Sequence, residues 1–312
     1  MFERVFKLSE HKTTVKTEVM AGITTFMTMA YILAVNPSVL GSTGMDTTAV
    51  LLATALASCL GTLCMAFMAN LPFALSAGMG LNAFMAYTVV AGYGYSWQVA
   101  LLAVFIEGLI FIVLSLTNIR EAIFNAIPLT LKKGVSVGIG LFIAFIGLQN
   151  SGLCVDSATL VGIISFPENF HTAGICALLT LIGLFFTAVF YTRKMKGAIL
   201  YGILLTWILG MLCQVTGLYV PTPDAGFYSL FPSWGMTDFS RLGLTFGQCF
   251  NVDFSAVGIV NFIVVIFSFL FVDIFDTLGT LIGVATKAKM LDKDGKLPGI
   301  KPALLADSIA TS

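Results

Sequence analysis

Leu71-Pro-Phe-Ala-Leu-Ser-Ala-Gly-Met-Gly-Leu-Asn-Ala-Phe-Met-Ala-Tyr87 carries no charge and is strongly apolar, yet Pro72, Gly78 and Gly80 interrupt any regular helix drawn through it. In lipid every backbone N–H and C=O needs a partner within the protein, so non-helical backbone at membrane depth survives only where protein or a water-filled cavity surrounds it. Discontinuous spans of this kind line binding sites in transporters. A helix restarting near Gly80 aims free N–H groups and the positive end of its dipole into the membrane interior. Asn82 falls in that first turn, where its amide can both donate and accept. The competing reading is structural: Gly78 and Gly80 permit close helix packing, and Asn82 caps the helix.

Outward from this stretch the whole chain is apolar. Of 312 residues 58% are hydrophobic and 10% charged, against about a quarter charged in soluble domains. So few charges cannot cover a water-soluble globule, which excludes a soluble enzyme, and the zero net charge gives no reason to expect nucleic acid. Windows nearly free of charge run over Val19–Leu40, Thr48–Ala69, Phe73–Val90, Val99–Leu116, Gly134–Leu148, Gly174–Tyr191, Ala198–Leu218 and Val257–Leu281. Most reach the ~17 to 25 residues needed to cross the hydrocarbon core, and the short Gly134–Leu148 window is expected to borrow residues from Leu129 onward. The prediction is an all-α polytopic protein of eight complete spans, since the alternation of a β-barrel strand is missing.

The basic residues test this threading, because short cytoplasmic loops collect them. With the N-terminus cytoplasmic, 15 of the 16 fall on one side: Arg4, Lys7, Lys12 and Lys16; Arg120, Lys132 and Lys133; Arg193, Lys194 and Lys196; and Lys287, Lys289, Lys293, Lys296 and Lys301. Arg241 alone is expected outside, where Asp46, Asp156, Glu168, Asp224, Asp238 and Asp253 also fall. The expected location is the cytoplasmic membrane. The first sixteen residues are polar and show no cleavable signal. Asn118–Lys133 sets Ile119, Ile123, Phe124 and Ile127 at helical spacing among charges, as an interfacial helix does. In the outer segment Tyr219–Phe254, the residues Tyr228, Phe231 and Trp234 are expected at headgroup level.

Three carboxyls lie inside spans, where ionisable groups mark function by default: Glu107, Asp273 and Asp276. The last two share one face of span eight as an i, i+3 pair, and like charges so close in a low dielectric call for a shared proton, a cation or a donor. The bland alternative is a structural bond to a neighbouring helix. Thr24, Thr25, Thr28, Tyr31 and Asn36-Pro37 gather in span one, where hydroxyls commonly bond the preceding turn; a structural role is the first reading and a cavity wall the alternative. Two membrane aspartates also suit an intramembrane protease, although Asp273 and Asp276 share one turn. Cys59, Cys64, Cys154, Cys176, Cys213 and Cys249 form no CxxC pair and read as buried small hydrophobes, with Cys154 and Cys249 on one side of the membrane. His11 and His171 are isolated, so no histidine metal site is expected.

Ala21-Gly-Ile-Thr-Thr-Phe-Met-Thr-Met-Ala-Tyr31, Gly78-Met-Gly-Leu-Asn-Ala-Phe-Met-Ala-Tyr87, Phe105-Ile-Glu-Gly108 and Asp273-Ile-Phe-Asp-Thr-Leu-Gly-Thr280 together resemble the guanine/hypoxanthine/adenine permeases of the nucleobase–cation symporter (xanthine/uracil permease) family, from Thr14 to the last residue. The resemblance implies two inverted seven-span repeats with span three partly unwound around the base. It further implies a cytoplasmic segment 1–18, transport-domain spans one to four over 19–116, gate-domain spans five to seven over 117–256, and the start of a second repeat over 257–312. By the same resemblance Asp273 accepts from purine N–H groups, Asn82 and Gly80 contact the base from the broken span, and Asp276 supports the site or its coupling proton. The implied protein is not an enzyme, takes up hypoxanthine, guanine or adenine with H+ (or Na+) as coupling ion, needs no cofactor and pairs as a homodimer. Ala306–Ser312 echoes Ala53–Cys59, as the opening of a second copy of span two would. The expectation is therefore a C-terminally truncated chain unable to transport alone. An anion transporter or channel of the same architecture is the alternative, with the helix start near Gly80 holding the anion, although Asp273 and Asp276 oppose it.

Overall fold

The computed structural model describes residues 2–311 apart from 118, 159, 224–225, 233–234, 236, 255–256 and 293–296. Asp224, Trp234, Lys293 and Lys296, named above, lie outside the described residues. The chain runs through α1 (Phe2–Phe6), α2 (Val15–Met29), α3 (Ile32–Gly41), α4 (Thr47–Cys64), α5 (Met79–Ala83), α6 (Trp97–Leu116), α7 (Ile119–Ala126) and α8 (Leu129–Asn150). A two-stranded antiparallel hairpin, β1 (Val155–Ser157) with β2 (Leu160–Gly162), then leads to α9 (Phe166–Asn169), α10 (Ile175–Thr192), α11 (Ala198–Val215), α12 (Ile259–Lys287) and α13 (Ile300–Thr311).

Among the described residues, seven helical stretches are long and apolar enough to cross a membrane: α2 with α3, α4, α6, α8, α9 with α10, α11 and α12. The remaining expected span, the third, Phe73–Val90, is no complete helix. Its helical part, Met79–Gly92, comprises α5 and a wider i→i+5 coil over Phe84–Gly92. Helix α8 starts at Leu129, so Lys132 and Lys133 stand on a membrane helix rather than in a loop. The expected helix over Asn118–Lys133 is shorter, ending at Ala126 before Pro128, as a proline demands of the residues preceding it. All six cysteines are free.

Two compact units make up the chain. The first comprises Met1–Gly22, Ala30–Gly140 and Thr237–Ser312. One apolar core here joins Met65 and Phe73 to Leu278 and Ile282 of α12 and Leu304 of α13, and a second joins Met85 and Val89 to Ala100 and Ala103 of α6 and Phe269 of α12. On the side expected to face out, Asp46 both caps α4, accepting from the Ala49 N–H at 2.8 Å, and pairs with Arg241 at 2.8 Å. The large apolar side chains left exposed, such as Phe67, Val113 and Val260, are those a lipid-facing belt requires.

The second unit, Ile23–Met29 with Leu141–Met236, is built on the α10–α11 pair. Thr187 and Thr206 each donate to the carbonyl four residues earlier, of Gly183 and Gly202, at 2.7 Å. The two pairs face each other. A Cβ on Gly183 would lie 2.1 Å from Thr206 Oγ1, and one on Gly202 1.8 Å from Thr187 Oγ1. Close contact of small residues drives helix pairing where lipid supplies no hydrophobic force. Below this seam Trp207 Nε1 donates to the Leu230 carbonyl at 2.8 Å, and Gln214 accepts from the Leu230 N–H at 2.8 Å, pinning the following segment.

Gly183→Ala and Gly202→Ala should each destabilise the protein by about 1–3 kcal/mol through overpacking, read as a lower melting temperature in detergent. Gly138→Ala, whose new methyl would meet nothing within 4 Å, is the control. Equal melting of all three variants would dismiss the seam.

Candidate functional site

The site grows from the break in the third apolar segment. After α4 the chain turns at Asn70 with φ +51° and runs without regular structure through residues 71–78. Helix α4 replaces the missing backbone partners: Thr62 Oγ1 accepts from the Leu75 N–H at 3.0 Å and donates to its carbonyl at 3.2 Å, while Ser58 and Ser76 hydroxyls meet at 2.7 Å. Gly61 allows the approach, since a Cβ there would fall 3.3 Å from Leu75 Cβ and 2.9 Å from Ala310 Cβ on α13. The helix restarts at Met79 with Gly78 as its N-cap and no side-chain cap.

Asn82 is thus not a cap. Its Nδ2 donates to Asn36 Oδ1, Asn36 Nδ2 donates to Thr54 Oγ1 at 2.7 Å, and Thr54 Oγ1 donates to the Val50 carbonyl at 2.7 Å. This buried chain ties the restarted helix to α3 and α4. Asn36 links two neighbouring helices, while Thr28 bonds its own helix, donating to the Thr25 carbonyl at 2.7 Å. Gly78 and Gly80, treated alike in the sequence, differ. A Cβ on Gly78 would lie 2.7 Å from Asp276 Oδ2, whereas one on Gly80 would meet no atom within 4 Å. Gly78 therefore makes room for the aspartate, and Gly80 faces open space.

The two aspartates of α12 diverge. Asp276 rests on the Gly78 backbone. Asp273 is buried and faces Glu107 of α6 and Arg120 of α7, with Arg120 Nη2 3.7 Å from its Oδ2. Glu107 is 0% exposed and neither of its oxygens has a hydrogen-bond partner, and the same holds for Asp273 Oδ2.

Two residues at the centre of this region were not foreseen. Arg120, counted in the sequence only as a cytoplasmic charge, is 3% exposed. Its Nη1 donates to Ser308 Oγ at 2.6 Å and the Leu304 carbonyl at 2.9 Å, and its Nη2 to Asp307 Oδ2 at 2.7 Å and Thr277 Oγ1 at 3.1 Å. The guanidinium also sits 4.0 Å from the Phe111 ring centroid. Asp307 closes the ring by accepting from Thr277 Oγ1 at 2.9 Å. Each had a signal. Arg120 lies three and seven residues before Ile123 and Ile127, on the apolar face of its helix, and Asp307 occupies the place of Thr54 in the echo between Ala306–Ser312 and Ala53–Cys59. A small cleft opens beside Arg120 between Ile123, Ile274, Thr277, Leu278 and Leu304, and neither Asn82 nor Gly80 lines it. No cluster of three metal-ligating side chains occurs among the described residues.

Residues 16–312 match the pattern of the permease family of the xanthine/uracil type. A Methanocaldococcus jannaschii protein is 46% identical over 99% of this chain and 66% of its own length. The adenine permease AdeP of Escherichia coli is 41% identical over 100% of this chain and 65% of its own. The guanine/hypoxanthine permease PbuG of Bacillus subtilis is 44% identical over 97% of this chain and 66% of its own. The matches cover nearly all of this chain, and the chain spans about two thirds of the length of these relatives.

Breaking a buried ion pair by removing one partner costs about 3–5 kcal/mol, so Arg120→Gln should lower the melting temperature in detergent markedly. Arg120→Lys should recover only part of the loss, because an ammonium cannot reproduce a fork bonded on both arms. Full recovery with lysine would show that charge alone matters there.

Proposed function

The chain belongs to the permease family, and from that premise we propose that the whole protein carries purine nucleobases across the cytoplasmic membrane by proton-coupled alternating access. The family is one of transporters, which sets aside the intramembrane protease reading of the two aspartates. Support for purines comes from the relatives, an adenine permease and a guanine/hypoxanthine permease. The single observation that carries the reading is the meeting of the broken span with a carboxylate, Asp276 Oδ2 against Gly78. A carboxylate is the acceptor that ring N–H groups of a base require, and an amide reads either edge.

In this reading Asp273 and Asn82 contact the base, Gly80 leaves the space it enters, and Asp276 holds the extended backbone against α12. Residues 19–116 with 257–312 belong to the moving transport domain and 117–256 to the gate domain, in the inverted-repeat arrangement. The Asp276 carboxylate at the break, with Asp273 one turn away on α12, argues against an anion as cargo, since like charges in low dielectric repel.

Labelled hypoxanthine, guanine or adenine should accumulate in purine-transport-deficient cells expressing the intact protein, and failure to take up any purine would sink the reading. Asp273→Ala should abolish purine binding at normal membrane expression. Gly80→Ala should leave the melting temperature unchanged while weakening purine binding about tenfold, the effect of ~1.4 kcal/mol. Unaltered affinity in that variant would remove Gly80 from the site.

A further inference from the structure

We propose that Glu107 and Asp273 form a carboxyl pair sharing one exchangeable proton, and that Glu107 holds this coupling proton while Asp273 engages the purine. The inference rests on the transport reading above and names the residue through which its coupling works.

Among the described residues, Oε1 and Oε2 of Glu107 and Oδ2 of Asp273 are buried without a hydrogen-bond donor, and the two side chains face each other. An ionised carboxylate buried without donors is among the most costly arrangements a protein interior can contain. Among the described residues, the charged groups facing the pair are Asp276 on α12, Arg120 on α7 and Asp307 on α13, so four carboxyls stand against one guanidinium. That guanidinium is already committed: it holds Asp307 at 2.7 Å and approaches Asp273 Oδ2 only to 3.7 Å. Glu107 feels that cation only through space and makes no ion pair with it among the described residues. A single proton resolves the conflict, because it turns Glu107 from acceptor into donor and supplies Asp273 with the partner it lacks. On loading, an O–H bond of water or hydronium breaks as the Glu107 O–H forms, and unloading reverses this, with no other bond changed. When a purine N–H takes the Asp273 carboxylate as its acceptor, the proton stays on Glu107, and the loaded site carries both cargoes.

The test uses the intact protein in proteoliposomes with a pH-sensitive dye inside and labelled hypoxanthine, guanine and adenine as probes. Glu107→Gln should retain purine exchange across the membrane without a gradient, yet lose about tenfold or more of proton-driven accumulation, within the usual range of coupling between two sites. Its uptake should lose the pH dependence of the unsubstituted protein, and purine entry should no longer carry protons. Glu107→Asp, which keeps the acid, should restore the proton signal and covers the case in which the glutamine variant does not assemble. Wild-type pH dependence and proton movement in Glu107→Gln would overturn the assignment, as would loss of purine exchange in both variants or uptake driven by sodium instead of protons. Absence of purine exchange in the unsubstituted protein would instead overturn the transport reading, so the two failures are distinguishable.

Discussion

Arg120 is the hub on which the described site depends. A guanidinium buried at 3% exposure is tolerable only when its donors are satisfied and its charge is met. Here α12 and α13 do both, with Thr277, Ser308 and the Leu304 carbonyl taking N–H donors and Asp307 taking the charge. The planar fork fixes direction as well as charge. Because Arg120 sits on the short α7, that helix converges on one point with α12 and α13, whose contacting residues lie 157 to 188 positions later in the chain. Whatever repositions α7 or α13 therefore alters the electrostatics around Asp273.

The broken span obeys the same constraint in a different way. Residues 71–78 forgo helical hydrogen bonds, and α4 replaces some of them through Thr62 and Ser58. Beyond the break, Asn82, Asn36 and Thr54 hand a hydrogen bond from helix to helix until it ends on a backbone carbonyl. The extended segment is thus held on one side by hydroxyls and on the other approached by Asp276. Its backbone shape is dictated by neighbours rather than by its own propensity, as expected where a chain crosses lipid without being helical.

The spans, the broken third segment and the three intramembrane carboxyls were legible because hydrophobic length, Pro and Gly placement and isolated charges are local signals. Two aspects were not. An i, i+3 spacing places Asp273 and Asp276 on one helix face, but only neighbours decide that one meets Arg120 and the other Gly78. Arg120 itself carried two compatible meanings, since a positive charge after a span marks topology and also suits a buried ion pair. Its partner Asp307 lies 187 residues away, and no local pattern reports a contact of that range.

Glu107 shows why an unpaired charge says more than a paired one. Thr277, Ser308 and Asp307 all use their polar atoms within the network, and their positions follow from packing three helices around a cation. Glu107 gains nothing of this kind: it is fully buried, and among the described residues no donor reaches its oxygens. A leucine of similar volume would fill the same space without the desolvation cost. A carboxyl kept in such a place is explained by a partner that comes and goes, and the smallest such partner is a proton.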